Sequence, residues 1–308
     1  MLDVRRIRVL QEVVTRGSFS AAADSLHLSQ SAVSQQIAAL EREVGVPLLE
    51  RTTNGPKLTG AGEALMEHGD AVICRLEEAE RALAQIAGLE SGRLRLASFS
   101  TANETLMTRA LSLFRRRFPK VQLEFMEADP EFTFPGLRRG DFDLAVVFDY
   151  PSLPLEFTRD VEAEMIYEDP MRVALPHGHP LAAAKSVRMS DLADEDWLCG
   201  ALPSSCRFQV INLCREAGFE PRISFQSEDY GVIKEFVAGG LGVSIIPELA
   251  GDHPGIELLP VRGEKPVRRV WAVTRESDVR SPAAEEMLGV LREVSRSYRE
   301  ERHLALVA

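Results

Sequence analysis

The stretch LSQSAVSQQIAALEREVG, residues 28–45, constrains the fold of this chain more than any other. Its apolar residues Val33, Ile37, Leu40 and Val44 are spaced by four, three and four positions, which predicts one apolar face on a helix. The opposite face carries Ser, Gln, Ala and Arg rather than the Glu and Lys that exposed helices favour. Amide and hydroxyl side chains can bond to base edges and phosphates. A solvated surface helix and a DNA-reading helix are therefore the two alternatives.

The neighbouring segments favour the DNA-reading alternative. Apolar spacing predicts a helix over residues 3–15 that ends at Gly17, and SAAADSLHL predicts a second short helix capped by Ser18 or Ser20. Ser29 is placed to cap the quoted helix, so two short helices follow a bracing helix, as in a helix-turn-helix. The TNGP turn in PLLERTTNGPKLTGAGE predicts a small β-hairpin, or wing.

The segment RGSFSAAADSLHLSQSAVSQQIAALEREVGVPLLERTTNGPKLTGAG resembles the LysR-type transcriptional regulators almost continuously. The resemblance implies a winged helix-turn-helix whose recognition helix is the quoted stretch. By position, it assigns four residues to base edges and three to phosphates: Gln30, Ser31, Ser34 and Gln35, and Ser20, Arg51 and Thr52. Many members carry Pro in place of Ser31 and Arg in place of Gln35, so their base preference does not transfer to this chain. Gln35 is suited to a bidentate pair with adenine.

Length and charge indicate a small head on a larger acidic body. The 308 residues predict two or three domains, and a content of 45% hydrophobic and 27% charged residues is typical of soluble globular proteins. Residues 1–60 hold seven Lys and Arg against six Asp and Glu, a net charge of +1. The whole chain has a net charge of −11, so the other 248 residues have a net charge of −12. So weak an excess predicts that DNA binding needs dimerisation and specific contacts.

Two further features of the sequence predict a cytoplasmic protein. No apolar run approaches the roughly 18 residues of a membrane helix, and the N-terminus lacks a signal-peptide core, so no membrane contact is expected. Four Cys without regular spacing indicate reduced thiols.

A long amphipathic segment follows the head. From Ala61 to Ile86, apolar residues recur at steps of three and four over about seven turns. Such a helix packs either on its own body or on a partner helix, and its place after the head favours dimerisation, as the resemblance also implies. Two heads would then read a pseudo-palindromic operator. The expected domains are thus a DNA-binding domain over residues 1–60 and a linker helix over 61–91.

Residues 92–308 alternate strand-like and helical segments, which predicts an α/β architecture with largely parallel sheets. LRRGDFDLAVV, YEDPMRVALPHGHPL, CREAGFEPRISFQSEDY and EFVAGGLGVSIIP resemble the LysR-type effector domain. The resemblance implies a fold like that of periplasmic binding proteins, in which two crossing strands join two lobes with a ligand cleft between them. Lobe I would comprise residues 92–162 and 268–308, and lobe II residues 163–267.

Seven residues are candidates for effector binding. Ser98, Ser100 and Thr101 lie where the first strand of this domain gives way to a helix, and their hydroxyls and free N–H groups suit a polar ligand. By position in the family, four more face the cleft: Asp129, Phe148, Ser204 and Ser227. Members that sense aromatic acids often carry Arg in place of Phe148 and Thr in place of Asp129. An amine-bearing or neutral effector is therefore the hypothesis, and a helix cap is the plainer role for each serine.

Metal binding and catalysis are not expected. His177 and His179 lack a third ligand and lie in a Pro- and Gly-rich turn, so a structural role is favoured. No GxSxG elbow, P-loop, GxGxxG motif or zinc-spaced Cys cluster is present in the sequence, so neither an enzyme nor a cofactor is predicted.

Cys206 and Cys214 carry an alternative, a redox-responsive regulator. Peroxide-sensing LysR-type regulators have a cysteine pair in this region, one residue further apart. Cys206 lies near a predicted helix N-terminus, which favours a reactive thiol. About two helical turns separate the two thiols by ~12 Å, so a disulfide would require unwinding.

The main prediction is a cytoplasmic regulator that binds a double-stranded DNA operator. It would assemble as a homodimer or homotetramer and respond to a small-molecule effector, with RNA polymerase as a candidate partner.

Overall fold

The computed structural model describes residues 2–52, 55–86, 92–157, 161–201, 204–263, 265–276 and 281–307. The chain divides into two compact units, Met1–Leu89 with Arg138–Asp141, and Glu90–Leu137 with Phe142–Ala308. The first unit contains four helices and a hairpin among its described residues: α1 (Val4–Arg16), α2 (Phe19–Ser25), α3 (Gln30–Val44), β1 (Leu49–Thr52), β2 (Gly55–Leu58) and α4 (Gly60–Ile86).

Local capping explains where the first three helices begin and end. Ser18 accepts the Ala21 amide at the start of α2, and Ser29 accepts the Ala32 amide at 3.2 Å at the start of α3. The sequence predicted either Ser18 or Ser20 as the N-cap of α2, and in the structure the cap is Ser18. Gly17 ends α1 with φ +67°, in the left-handed region that favours glycine.

The apolar face of α3 packs into the core of the first unit. Val33, Ile37 and Leu40 are buried there with Leu10 of α1 and Leu48, which precedes the hairpin. The opposite face is left to solvent, so the stripe identified in the sequence orients α3. The hairpin is antiparallel, as predicted, and pairs Glu50 with Lys57.

The second unit contains the remaining elements. They are β3 (Arg93–Ser98), α5 (Ser100–Ala102), a π-helical turn (Asn103–Met107), α6 (Thr108–Arg117), β4 (Gln122–Glu127), α7 (Pro130–Arg139), β5 (Leu144–Asp149), β6 (Val161–Pro176), a 3₁₀ turn (Met189–Leu192), β7 (Asp196–Cys199), α8 (Ser205–Glu216), β8 (Arg222–Gln226), α9 (Tyr230–Ala238), β9 (Ser244–Pro247), a 3₁₀ turn (Glu248–Ala250), β10 (Ile256–Pro260), β11 (Val267–Arg275) and α10 (Pro282–Val307).

The main sheet of this unit is mixed. Its strand order is β10-β6-β11-β5-β3-β4, and β9 also pairs with β6. β3 lies parallel to β4 and β5, whereas β6, β11, β10 and β9 pair antiparallel. The expectation of largely parallel sheets was therefore wrong, because the long strand β6 and the returning strand β11 run beside each other in opposite directions.

A second, two-stranded sheet matters for the site. β7 and β8 pair in parallel, as β3 and β4 do. Parallel strands place their carboxyl ends at one edge of a sheet, where ligands of α/β proteins gather. In the described part of the chain, no helix is long and apolar enough to cross a membrane.

Candidate DNA-reading helix and effector cleft

The residues assigned to base edges lie on the solvent side of α3. Gln30, Ser31 and Gln35 are exposed, and Ser34 is half-buried. The Ser31 hydroxyl lies 2.9 Å from that of the capping residue Ser29, so it is held at the first turn of the helix. This face presents amide and hydroxyl groups, which suit hydrogen bonds to bases.

The structure distinguishes the two adjacent glutamines of α3. Gln36 Oε1 accepts a hydrogen bond from Arg6 Nε of α1 at 3.2 Å, and Arg6 also pairs with Glu43. Gln35 lies one residue earlier and is exposed on the polar face. Gln36 therefore braces two helices, while Gln35 is available to a ligand such as DNA.

The residues assigned to phosphates are less fully described. Ser20 is exposed on α2. Arg51 and Thr52 belong to β1, and their side chains lie outside the part of the chain that the structure describes.

The second unit contains a cavity of about 640 Å³. Residues that follow the carboxyl ends of four strands line it: Ser100 after β3, Ala128 and Asp129 after β4, Gly200 after β7, and Ser227 and Glu228 after β8. Two parallel strand pairs therefore supply its walls, as expected for a ligand site of an α/β protein.

Six of the seven effector candidates line this cavity: Ser100, Thr101, Asp129, Phe148, Ser204 and Ser227. Ser98 does not, because it is the last residue of β3 and is wholly buried in the sheet. Its hydroxyl has no hydrogen-bond partner among the described residues. Ser204 precedes α8 without capping it through its side chain, and its Oγ instead lies 3.4 Å from Glu228 Oε2.

Arg268 also lines the cavity, although no pattern in the sequence marked it. Its guanidinium donates to Asp169 Oδ2 at 2.7 and 3.1 Å and to Thr101 Oγ1 at 2.6 Å. The rings of Phe99 and Phe148 lie 4.8 and 4.9 Å from its central carbon. Burial opposes the charge, but the Asp169 carboxylate together with Tyr150, Tyr230 and Cys206 raises the pKa of Arg268 above its ordinary value.

Carboxylates surround the rest of the cavity. Glu127, Asp129, Glu131 and Glu228 all line it. Partial desolvation and then the Glu127 carboxylate raise the pKa of Asp129, whereas Arg268 lowers it. Desolvation also raises the pKa of Glu228, and the Asp129 carboxylate acts in the same direction. Position after β8 could have identified Glu228 in the sequence, whereas its neighbour Ser227 was assigned by position in the family.

Cys206 also lines the cavity, at the first turn of α8. Tyr150 donates a hydrogen bond from its hydroxyl to Cys206 Sγ at 3.3 Å. Cys214 lies near the other end of the same helix and is fully buried. Burial is the main cause that raises the pKa of Cys214 to about 12.

The two histidines of the turn contact different carboxylates. His177 Nε2 lies 3.3 Å from Glu257, and His179 Nε2 lies 3.2 Å from Glu195. Among the residues that the structure describes, no group of three or more His, Cys, Asp and Glu side chains is arranged to hold a metal ion.

Two family models together cover most of the chain. Residues 4–63 match the bacterial regulatory helix-turn-helix proteins of the lysR family, and residues 87–296 match the LysR substrate binding domain. The chain belongs to the LysR family. It is therefore a DNA-binding transcriptional regulator with an effector-binding domain, and it is not an enzyme. The winged head and two-lobed α/β body expected from the sequence are confirmed.

Relatives of this LysR-family chain differ in their named roles. A hydrogen peroxide-inducible genes activator of Pectobacterium carotovorum subsp. carotovorum is 28% identical over 97% of this chain and 99% of its own. A RuBisCO operon transcriptional regulator of Allochromatium vinosum is 31% identical over 92% and 93%. The solved structure of a full-length OxyR variant from Pseudomonas aeruginosa covers 96% of this chain and 95% of its own, with 26% identity and a TM-score of 0.70.

Proposed function

We propose that this LysR-family regulator binds a partly palindromic operator through α3 and that a small molecule in the cavity of the second unit alters this binding. The observation that carries the proposal is the cavity of about 640 Å³ at the carboxyl ends of β3, β4, β7 and β8. A ligand there controls DNA binding only if it has different affinities for two states of the protein.

The proposal assigns roles to three parts of the chain. Residues 1–60 read DNA, residues 61–91 join two copies, and residues 92–308 bind the effector. In this last part, lobe I comprises residues 92–162 and 268–308, and lobe II comprises residues 163–267. Gln30, Ser31, Ser34 and Gln35 contact bases, and Ser20, Arg51 and Thr52 contact phosphates. The assembly is a homodimer or homotetramer, and it lies in the cytoplasm, where its DNA operator is found.

A nuclease footprint of the purified protein on the DNA upstream of its own gene tests the head. We expect protection of a partly palindromic site that is lost in Gln35→Ala, since an adenine contact would be removed. Gln36→Ala is the matched control: its amide oxygen accepts a hydrogen bond from Arg6 and it has no assigned base contact, so protection should persist. Absence of protection at low salt, both there and on a random-site library, would contradict direct operator binding.

The effector role is tested by repeating the footprint with candidate ligands. We expect a ligand that binds the cavity to extend, shorten or shift the protected region. Ser204 supplies the variant Ser204→Ala, which should reduce the response while leaving the ligand-free footprint in place. An unchanged footprint at saturating ligand would contradict effector control through this cavity.

A thiol switch at Cys206 is the second candidate. The half-buried thiol lines the cavity beside Tyr150, and the relatives include a peroxide-inducible activator and OxyR. In this alternative, the Cys206 thiolate attacks an oxygen of hydrogen peroxide, an S–O bond forms as the O–O bond breaks, and the leaving hydroxide takes a proton from solvent, which gives a sulfenic acid and water. Cys206→Ser should then abolish a peroxide response of the footprint, whereas under the main proposal it should leave the effector response intact.

A further inference from the structure

Carboxylates are part of the lining of the cavity, which bears on the charge of the ligand that it suits. Its lining contains four acidic residues, Glu127, Asp129, Glu131 and Glu228, and one basic residue, Arg268. In the described part of the chain, none of the four carboxylates forms an ion pair with Lys or Arg. No ion pair among the described residues therefore neutralises their negative charge, although Arg268 favours the charged form of Asp129 against the desolvation that raises its pKa.

Much of the Arg268 guanidinium is committed to its protein neighbours. Its side chain is 1% exposed, its Nε and Nη2 donate to Asp169 and Thr101, and its central carbon lies over the rings of Phe99 and Phe148. Moving the guanidinium toward a ligand would leave the Asp169 carboxylate buried without its cation. Arg268 thus belongs to the structure of the cavity wall.

Asp129 and Glu228 approach the cavity from different sheets. Asp129 follows β4 of the main sheet, and Glu228 follows β8 of the two-stranded sheet. Their charges nevertheless interact. Desolvation is the main cause that raises the pKa of Glu228, and the Asp129 carboxylate raises it further. A cation between them would relieve this repulsion and donate charge-assisted hydrogen bonds to both carboxylates.

Two large apolar side chains of the lining are exposed to solvent. Phe132 and Met126 line the cavity and are 74% and 51% exposed, respectively. Large exposed apolar side chains at a pocket are typical of sites that cover an apolar part of a ligand. The lining therefore combines four exposed carboxylic residues with large exposed apolar side chains.

We propose that the effector is an amphipathic organic cation, with an ammonium or amidinium group held between Asp129 and Glu228 and an apolar part against Phe132 and Met126. This inference rests on the proposed function, since the cavity is taken as the effector site. The acidic residues set the charge of the ligand, and the cavity with its family match supplies the site.

The test compares ligands that differ only in their charged group. Phenethylamine, phenethyl alcohol and hydrocinnamate share one skeleton, and a panel of shorter and longer alkyl and aryl-alkyl skeletons in the same three forms covers other sizes. Binding to the full-length protein is measured by calorimetry and by the shift in melting temperature. We expect binding by amines of the panel and weaker or no binding by their matched alcohols and carboxylates.

Conservative variants locate the ammonium. Asp129→Asn and Glu228→Gln keep the shape of the side chain and remove its charge, so each should weaken amine binding by about tenfold or more. Glu216→Gln, an exposed residue of α8 outside the cavity, is the control and should leave the affinity unchanged. Tighter binding of carboxylates than of amines, no amine binding across the panel, or amine affinity that survives both substitutions would overturn the inference.

The footprint separates this inference from the function on which it rests. If an alcohol or carboxylate binds and changes the operator footprint, effector control stands and the cationic ligand is refuted. If amines bind with the expected dependence on Asp129 and Glu228 but the footprint never changes, the ligand class stands and effector control is refuted.

Discussion

Arg268 places a guanidinium in the interior of the second unit, where a charge without partners is costly. Its ion pair with Asp169 joins neighbouring strands β11 and β6, and Asp169 also accepts the Leu249 amide at 3.0 Å. Arg268→Met keeps most of the volume but leaves a buried carboxylate unpaired. We expect this variant to lose about 3–5 kcal/mol of unfolding free energy, as measured by urea denaturation.

Two further variants decide whether the unpaired charge causes the loss. Arg268→Met combined with Asp169→Asn removes both charges, so it should be more stable than Arg268→Met alone. Arg222→Met breaks an exposed ion pair with Asp196 and should have little effect. Equal, small losses for Arg268→Met and Arg222→Met would show that the buried pair is not a main support of the fold.

Single residues of the site were predictable only where a local pattern marks them. Ser100 and Asp129 were assigned because they follow strands or match a family position, and both line the cavity. Arg268 follows Thr101 by 167 residues and Asp169 by 99, and nothing near it in sequence shows that the three side chains meet. Ser98 matched the same local pattern as Ser100, but the side chain at the end of β3 is buried in the sheet.

At the scale of elements, α4 begins against the hairpin at a glycine. A Cβ on Gly62 would lie 2.2 Å from the carbonyl oxygen of Leu48, whereas a Cβ on Gly60 would meet nothing within 4 Å. Gly62→Ala must therefore push apart the start of α4 and the chain before β1. We expect it to destabilise the protein by about 1–3 kcal/mol, as measured by chemical denaturation.

Gly60→Ala is the matched control two residues away in the same helix. Because alanine is the better helix former and the space is open, this substitution should be neutral or stabilising by up to about 1 kcal/mol. If the two variants were equally stable, the contact between Gly62 and Leu48 would not limit how α4 packs.

Elements built from local signals were the predictable part of the fold. Three features depend on only a few neighbouring residues each: the apolar stripe of α3, its Ser29 cap and the glycine that ends α1. All three are present in the structure. The pairing of β6 with β11 joins residues about a hundred positions apart, so strand direction does not appear in any local pattern. Alternation of strands and helices alone therefore suggested more parallel pairing than the sheet contains.

At the scale of the whole molecule, charge is divided unevenly along the chain. Residues 1–60 have a net charge of +1 within a chain of net charge −11. The attraction between residues 1–60 and DNA phosphates is therefore opposed by the negative charge of the rest of the chain. Each basic residue of the wing then contributes a large share of the electrostatic part of DNA binding. Lys57 of β2 is the exposed basic residue of the hairpin whose side chain is described.

Lys57→Gln tests this division of charge. If Lys57 contacts a phosphate, the variant should bind every DNA sequence more weakly. The slope of the logarithm of the binding constant against the logarithm of the salt concentration should then decrease in magnitude by about 1 for each bound head. The measurement is operator binding by fluorescence anisotropy over a series of salt concentrations. Lys185→Gln removes an exposed lysine of the second unit and should leave the slope unchanged. A Lys57→Gln slope equal to that of the unmodified protein would mean that this part of the wing does not touch the DNA backbone.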